Sequence, residues 1–263
     1  MSRKRLRDEE PDESVYPTKT NILSQIPFTP CPVDGVKDMP YAVTPPLPPK
    51  NFAMYIVGSP GSGKTNLWIS MMTSKKPKYY REYFDVVHLI SGSLGTLPSK
   101  VVKGPKGVPI ANQASELDYD DLMRRVTSMA AGDNTHNLII FDDVIKDLSR
   151  NKMLSKLFLN RRHITHNPEK KGCASLSLMT TSQKYNLLPL EFRKNCSHHC
   201  LFRTDNGAEL RAIKEELMGD LSTEAQDKVL RTAWADKYGF LFVDSYAPRE
   251  KRYYNRFSLI NFD

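Results

Sequence analysis

The sequence predicts an α/β fold with a mostly parallel sheet covered by helices on both faces. Three observations predict it. From Asn51 onward, apolar runs alternate with helical patterns, as parallel strands joined by crossover helices require. The run "FAMYIV" leads straight into "GSPGSGKT", Gly58 to Thr65, a strand-to-helix turn of the pattern G-x-x-x-x-G-K-[ST]. A second buried-strand run, "NLIIFDDV", Asn137 to Val144, ends in two carboxylates. A chain of 263 residues is long enough to bury one such sheet.

Before the first strand, "MSRKRLRDEEPDES" is a basic cluster followed by an acidic one with almost nothing to bury, which reads as a disordered arm. The proline-rich stretch ending in "TPPLPPK", Thr44 to Lys50, is expected to run extended along the surface. Residues 1–50 are therefore read as an arm, and 51–263 as the folded domain, with a C-terminal extension from about residue 206. Strands are expected at Phe52 to Val57, Val86 to Ile90, Leu138 to Phe141, Ser175 to Thr181 and His198 to Phe202. Helices are expected near Lys64 to Thr73, Leu117 to Ala131, Lys152 to Arg161 and Leu190 to Lys194. Two more, Ala208 to Met218 and Thr223 to Lys237, precede the strand-like "FLFVDS" and "YYNRFSLI". These last pieces are too small to own a core and attach to the same domain.

The glycine-rich turn is a phosphate cradle. Backbone N–H groups of Gly58, Ser59, Pro60, Gly61, Ser62, Gly63, Lys64, Thr65 and Asn66 (proline excepted) line it. Lys64 serves the β and γ phosphates, and the Thr65 hydroxyl serves Mg²⁺. The acidic pair sits at the carboxyl end of a parallel strand, the edge where open α/β sheets bind ligands. Asp142 suits Mg²⁺, directly or through its water, and Asp143 suits polarisation of the water that attacks the γ-phosphate. Both would be ionised near neutral pH, favoured by the metal and Lys64; helix capping is the other role for such a pair. The strand "SLSLMTTSQ" turns polar at Thr180, Thr181, Ser182 and Gln183. Gln183 can hold the attacking water or sense the γ-phosphate, since an amide both donates and accepts; a plain surface turn is the alternative.

Between Lys64 and Asp142 there is room for one more strand and one more helix. With an acid after the metal aspartate, this resembles the P-loop ATPases that carry an inserted strand, which implies a core strand order 5-1-4-3-2. No N-K-x-D guanine-reading segment is present, "NKML" at Asn151 lacking the aspartate, which disfavours GTP. The acidic pair disfavours small-molecule kinases more weakly.

Taken together, "YIVGSPGSGKTNL", "NLIIFDDV", "LFLNRRHIT" and "TTSQKYNLLPLEFRKN" resemble, in order and spacing, the poxvirus-type genome-packaging ATPases of large DNA viruses, virophages and polinton-like elements, within the FtsK–HerA superfamily. The resemblance covers about Phe52 to Phe202. It implies a homo-oligomeric ring that hydrolyses ATP with Mg²⁺ to move double-stranded DNA into a preformed capsid, with a capsid or portal protein as partner. It places the chain in the host cell cytoplasm or nucleus where virions assemble, or in the virion, and not among secreted proteins. It also implies an arginine supplied by a neighbouring subunit to the γ-phosphate, for which Arg161 and Arg162 fit equally and Arg193 stands in reserve. A basic helix C-terminus complementing the helix dipole is the other explanation of "RRH".

The formal charge of +8 agrees with a polyanionic partner and equally with a solvated basic surface. Within "GSLGTLPSKVVKGPKGVPIANQ", Gly92 to Gln113, Lys100, Lys103 and Lys106 sit in what reads as a long loop, able to grip DNA phosphates without reading sequence, or else as a solvated insertion or short hairpin. Cys31, Cys173, Cys196 and Cys200 have no framework spacing and no signal peptide precedes them, so reduced thiols are expected. In "CSHHC" the side chains of a strand alternate between faces and do not converge on zinc. No apolar run approaches membrane-spanning length, so no membrane insertion is expected. Other classes remain open on residues alone: a P-loop ATPase or kinase not acting on DNA, or a nucleotide-gated binding or scaffold protein.

Overall fold

The computed structural model describes residues 43–97, 110–114, 121–122, 124, 135–144, 157–161, 164 and 174–262. In chain order the elements are β1 (Ala53–Val57), α1 (Lys64–Thr73), β2 (Val86–Ser91), β3 (Ile110–Ala114), β4 (His136–Asp142), β5 (Ser175–Ser182), α2 (Leu190–Asn195), β6 (His198–Phe202), α3 (Gly207–Leu217), α4 (Thr223–Ala233), β7 (Phe240–Asp244), β8 (Tyr253–Asn255) and β9 (Ser258–Leu259). Residues 157–160 are also helical.

The strands form one sheet in the order β3-β2-β4-β5-β1-β6-β7-β8-β9. From β3 to β6 every pairing is parallel, and β7, β8 and β9 add on antiparallel. Taking β1, β2, β4, β5 and β6 as the five core strands, the order is the 5-1-4-3-2 that the resemblance to P-loop ATPases implies.

Side chains alternate between the two faces of a strand, and on β1, β2, β4, β5 and β6 both faces are buried. On one face Ala53, Tyr55, Val57, Ile139, Phe141, Leu178 and Leu201 pack with Phe192 of α2, Ile213 of α3 and Val229 of α4. On the other, Met54, Ile56, Leu89, Ile140 and Cys200 pack with Trp68, Met71 and Met72 of α1 and with Tyr80, Tyr83 and Phe84. Helices α3 and α4 start at well-formed caps: Asn206 accepts from the N–H groups of Ala208 and Glu209, and Ser222 from that of Ala225.

Three expectations are corrected. Gly92 to Gln113 is not a loop throughout, because β3 begins at Ile110 and pairs in parallel with β2. A five-residue edge strand takes its stability from its partner's hydrogen bonds, and "IANQA" carries too weak an alternation to announce itself; Lys100, Lys103 and Lys106 lie outside the described residues. Helix α4 ends at Ala233 rather than Lys237, since the next residues form the turn that returns the chain to β7, with the Gly239 N–H donating to the Asp236 carbonyl at 2.9 Å. The proline-rich stretch turns rather than running extended, with the Leu47 N–H donating to the Thr44 carbonyl at 3.2 Å, and it is anchored: Leu47 and Pro48 are buried, the Tyr80 hydroxyl donates to the Pro48 carbonyl at 2.8 Å, and the Tyr83 hydroxyl donates to that of Pro49. Of the expected helices at 117–131 and 152–161, most residues fall outside those described. Among the described residues, no helix is long and apolar enough to cross a membrane.

Candidate active site

β1 delivers the chain to the sheet edge between β5 and β6. The Gly58 N–H donates to the Ser182 carbonyl at 3.0 Å, extending the β1–β5 ladder into the loop. A Cβ on Gly58 would lie 2.4 Å from Ser62 Oγ and 2.7 Å from Phe202 Cβ, so only glycine fits. Gly61 and Gly63 adopt φ of +77° and +107°, the left-handed region open to glycine, and Gly61 faces open space. Gly63 is the N-cap of α1, whose first N–H groups receive no side-chain cap. Free N–H groups and the helix dipole at that end suit an anion. The Ser62 hydroxyl is buried with no hydrogen-bond partner, a polar atom a bound phosphate would satisfy.

Lys64, the first residue of α1, donates from Nζ to the carbonyls of Gly58 at 2.8 Å and Ser59 at 3.3 Å. Burial pulls its pKa below the usual lysine value, and the charges of Asp143 and Asp142 pull it back up. The ammonium therefore feels both carboxylates of the acidic pair.

Asp142 ends β4 with no solvent exposure. Its Oδ1 accepts from Trp68 Nε1 at 3.3 Å and from the Thr181 hydroxyl at 2.9 Å, and its Oδ2 accepts from the Ser91 hydroxyl at 3.1 Å. Three neighbours, one each from α1, β5 and β2, thus aim one carboxylate. Burial raises its pKa, the Thr181 bond lowers it, and the Asp143 charge raises it again. The protein alone therefore favours the ionised form of Asp142 less than water does, and a bound cation would favour it. Asp143 is exposed at φ +57°, a left-handed turn that aspartate tolerates better than most residues. Its N–H donates to Thr181 Oγ1 at 3.0 Å, so a single hydroxyl links the two acids.

Gln183 follows β5, is exposed, and lines a cleft of about 320 Å³ with Gly58, Ser59 and Pro60. Thr65 is half-buried and Asn66 exposed in the first turn of α1. The arginines fare differently. Arg161 is only 3% exposed; its Nε donates to the Asn51 carbonyl at 2.9 Å and its Nη1 to the Phe158 carbonyl at 2.7 Å. This corrects the expectation for Arg161, because a guanidinium committed to its own chain's carbonyls is not presented to a neighbour. Arg193 is likewise committed, forked onto Glu216 at 2.9 and 2.6 Å and stacked over Tyr185. Arg162 lies outside the described residues.

In "CSHHC", His198 shares a hydrogen bond with Ser197 at 2.8 Å and faces Asp244 at 3.5 Å, while burial pushes His199 down to about 3 and the Cys196 thiol up to about 12. These are core groups.

Sequence reasoning missed Trp68, Ser91 and the linking role of Thr181. Trp68 stands four residues after Lys64 on one helix face, which was a usable signal; nothing in the sequence ties Ser91 to Asp142.

The model of the family described as Poxvirus A32 protein matches residues 45–230. The chain belongs to the poxvirus A32 protein family. In this A32-family chain the match spans β1 to α4 and so takes in every site element above. A search of curated proteins returns no match. Among solved structures, the genome packaging NTPase B204 from Sulfolobus turreted icosahedral virus 2 in complex with ATP-gammaS is similar at 16% identity and a TM-score of 0.52, covering 81% of this chain and 100% of that one. B204, the DNA-packaging ATPase from Sulfolobus turreted icosahedral virus, is similar at 17% identity and a TM-score of 0.52, covering 75% and 94%. At these identities the likeness is one of fold.

The residues present fit a metal–triphosphate. The loop offers uncapped N–H groups, an orphaned hydroxyl and a lysine, and the Thr65 hydroxyl and Asp142 carboxylate are the hard oxygen donors that Mg²⁺ takes.

Proposed function

We propose that this A32-family chain is an ATP-driven motor that moves double-stranded DNA into a viral capsid. One observation carries the reading: the phosphate loop and the Asp142–Asp143 pair open on the same edge of the sheet, close enough for Lys64 to feel both acids. Family membership and a fold shared with proteins named for genome and DNA packaging support the choice of DNA as track.

The loop N–H groups bind the phosphates and Lys64 leaves the Gly58 and Ser59 carbonyls to pair with the β and γ oxygens. Thr65 and Asp142 would hold Mg²⁺, which when bound would neutralise charge on the phosphate oxygens. Asp143 orients the attacking water and accepts its proton, and the Gln183 amide fixes that water or senses the terminal phosphate. Buried Asp142 keeps one geometry throughout because Trp68, Thr181 and Ser91 hold it. Arg162 is the arginine left to reach a neighbouring subunit's γ-phosphate, an arrangement that couples hydrolysis around a ring and is typically worth about 10³ to 10⁵ in rate. A capsid or portal protein is the docking partner, and the site of virion assembly, cytoplasm or nucleus, is where the ring works.

The test is ATP turnover by the assembled protein. Double-stranded DNA should raise it, and high salt should reverse the rise, because phosphate contacts release counterions. Turnover indifferent to DNA would favour an ATPase or kinase with another substrate; negligible turnover with nucleotide-dependent assembly would favour a scaffold. Mixing inactive Arg162→Ala with inactive Lys64→Ala should restore some activity if Arg162 acts in trans. No restoration in rings shown to exchange subunits would remove that role.

A further inference from the structure

The sheet order sets a direction along the site. Asp142 and Asp143 leave β4, two strands to one side of β1, while β7 lies two strands to the other side. A triphosphate held by the loop with its γ end toward the acids must send its ribose and base the opposite way, toward β7. Because β7 runs antiparallel to β6, with Phe202 opposite Phe240, the chain entering β7 stands on the same edge of the sheet as the phosphate loop.

Tyr238 occupies that place. Its Cδ1 lies 3.8 Å from the position a Gly63 Cβ would take, beside Phe202 Cε1 at 3.6 Å, yet the residue is 52% exposed. Singly exposed aromatics are ordinary; this one stands out by its place beside the N-cap of the phosphate-binding helix. The turn that carries it is closed by the Gly239 N–H on the Asp236 carbonyl, and a Cβ at Gly239 would meet the Ala233 carbonyl oxygen at 2.4 Å, so the backbone beside the ring packs directly on the end of α4. Lys237 places its ammonium 5.3 Å from the ring centroid. An exposed aromatic face at the exit of a phosphate loop is what a flat heterocycle stacks on.

We propose that Tyr238 is the stacking platform for the base of the bound nucleotide. The proposal rests on the nucleotide reading of the loop, and its test separates the two. Calorimetric titration of the full chain with MgATP and, separately, with magnesium tripolyphosphate reads base and phosphate contacts apart without requiring turnover. Tyr238→Ala should weaken MgATP about tenfold, the order expected for one base–aromatic stack, and leave tripolyphosphate binding unchanged. Tyr238→Phe should keep wild-type affinity for both ligands. Wild-type MgATP affinity in Tyr238→Ala overturns the proposal, as does an equal loss for both ligands, which would mark the ring as a prop for the loop. If wild type binds neither ligand and Lys64→Ala changes nothing, the nucleotide reading itself fails and the stacking role falls with it.

Discussion

Asp142 is where stability and function pull apart, and Asp142→Asn exposes the conflict. The carboxyl is fully buried and burial lifts its pKa above the unfolded value. A carboxyl whose folded pKa is raised holds its proton more tightly in the native state, so stability falls as pH climbs through the window from the unfolded to the folded pKa, and the penalty is complete above it. Asparagine removes that charge and keeps Oδ1 for Trp68 and Thr181, while Ser91, whose hydroxyl can accept as well as donate, meets the new amide. The substitution should leave the nucleotide-free protein at pH 7 as stable as wild type or up to about 1 kcal/mol more so, a rise of roughly 2–4 °C in melting temperature per kcal/mol for a chain of this size. Asp142→Ala strands all three donors and should cost about 2–4 kcal/mol. Melting curves at pH 7 and at progressively lower pH are the assay. The advantage of Asp142→Asn should shrink as pH falls and the wild-type carboxyl takes up its proton, while Mg²⁺-dependent ATP hydrolysis is lost throughout. If Asp142→Asn is destabilised as severely as Asp142→Ala at pH 7, burial is not penalising the ionised carboxylate and the reasoning fails.

Thr181→Val keeps shape but removes the hydroxyl shared by the Asp142 carboxylate and the Asp143 N–H; urea unfolding should register a loss of about 2–4 kcal/mol, and an unchanged midpoint would deny the linkage. Gly58→Ala forces a methyl against Ser62 and Phe202, so tripolyphosphate affinity should collapse with a stability cost of about 1–3 kcal/mol; undiminished affinity would mean that the loop tolerates the displacement. Glu216→Gln leaves the largely buried Arg193 without its charged partner, and chemical denaturation should show a loss of about 3 kcal/mol. A neutral result there would return Arg193 to the pool of candidate trans-acting arginines.

What the residues disclosed and what they hid have physical causes. The phosphate loop and the acidic pair were legible because each is a short local pattern whose chemistry demands fixed residue types, and the strand order came with the resemblance to P-loop ATPases that carry an inserted strand. Edge strand β3 was not, since its partner β2 rather than its own alternation holds it in the sheet. Arg161 could not be told from Arg162 by sequence: the distant Asn51 carbonyl claims it, and no local signal announces a contact over that separation. The same holds for Ser91, joined to Asp142 only by the β2–β4 pairing. Trp68 and Thr181 were half-visible, one by its helical spacing from Lys64 and the other as part of a polar strand end.

Movement along DNA is the property that sets this site apart from any other ATPase site. The decisive measurement is displacement of a third strand from a DNA triplex by the assembled protein with ATP and Mg²⁺. Displacement should need hydrolysable ATP and disappear in Lys64→Ala and Asp143→Asn. Sustained ATP hydrolysis with the triplex left intact would contradict it.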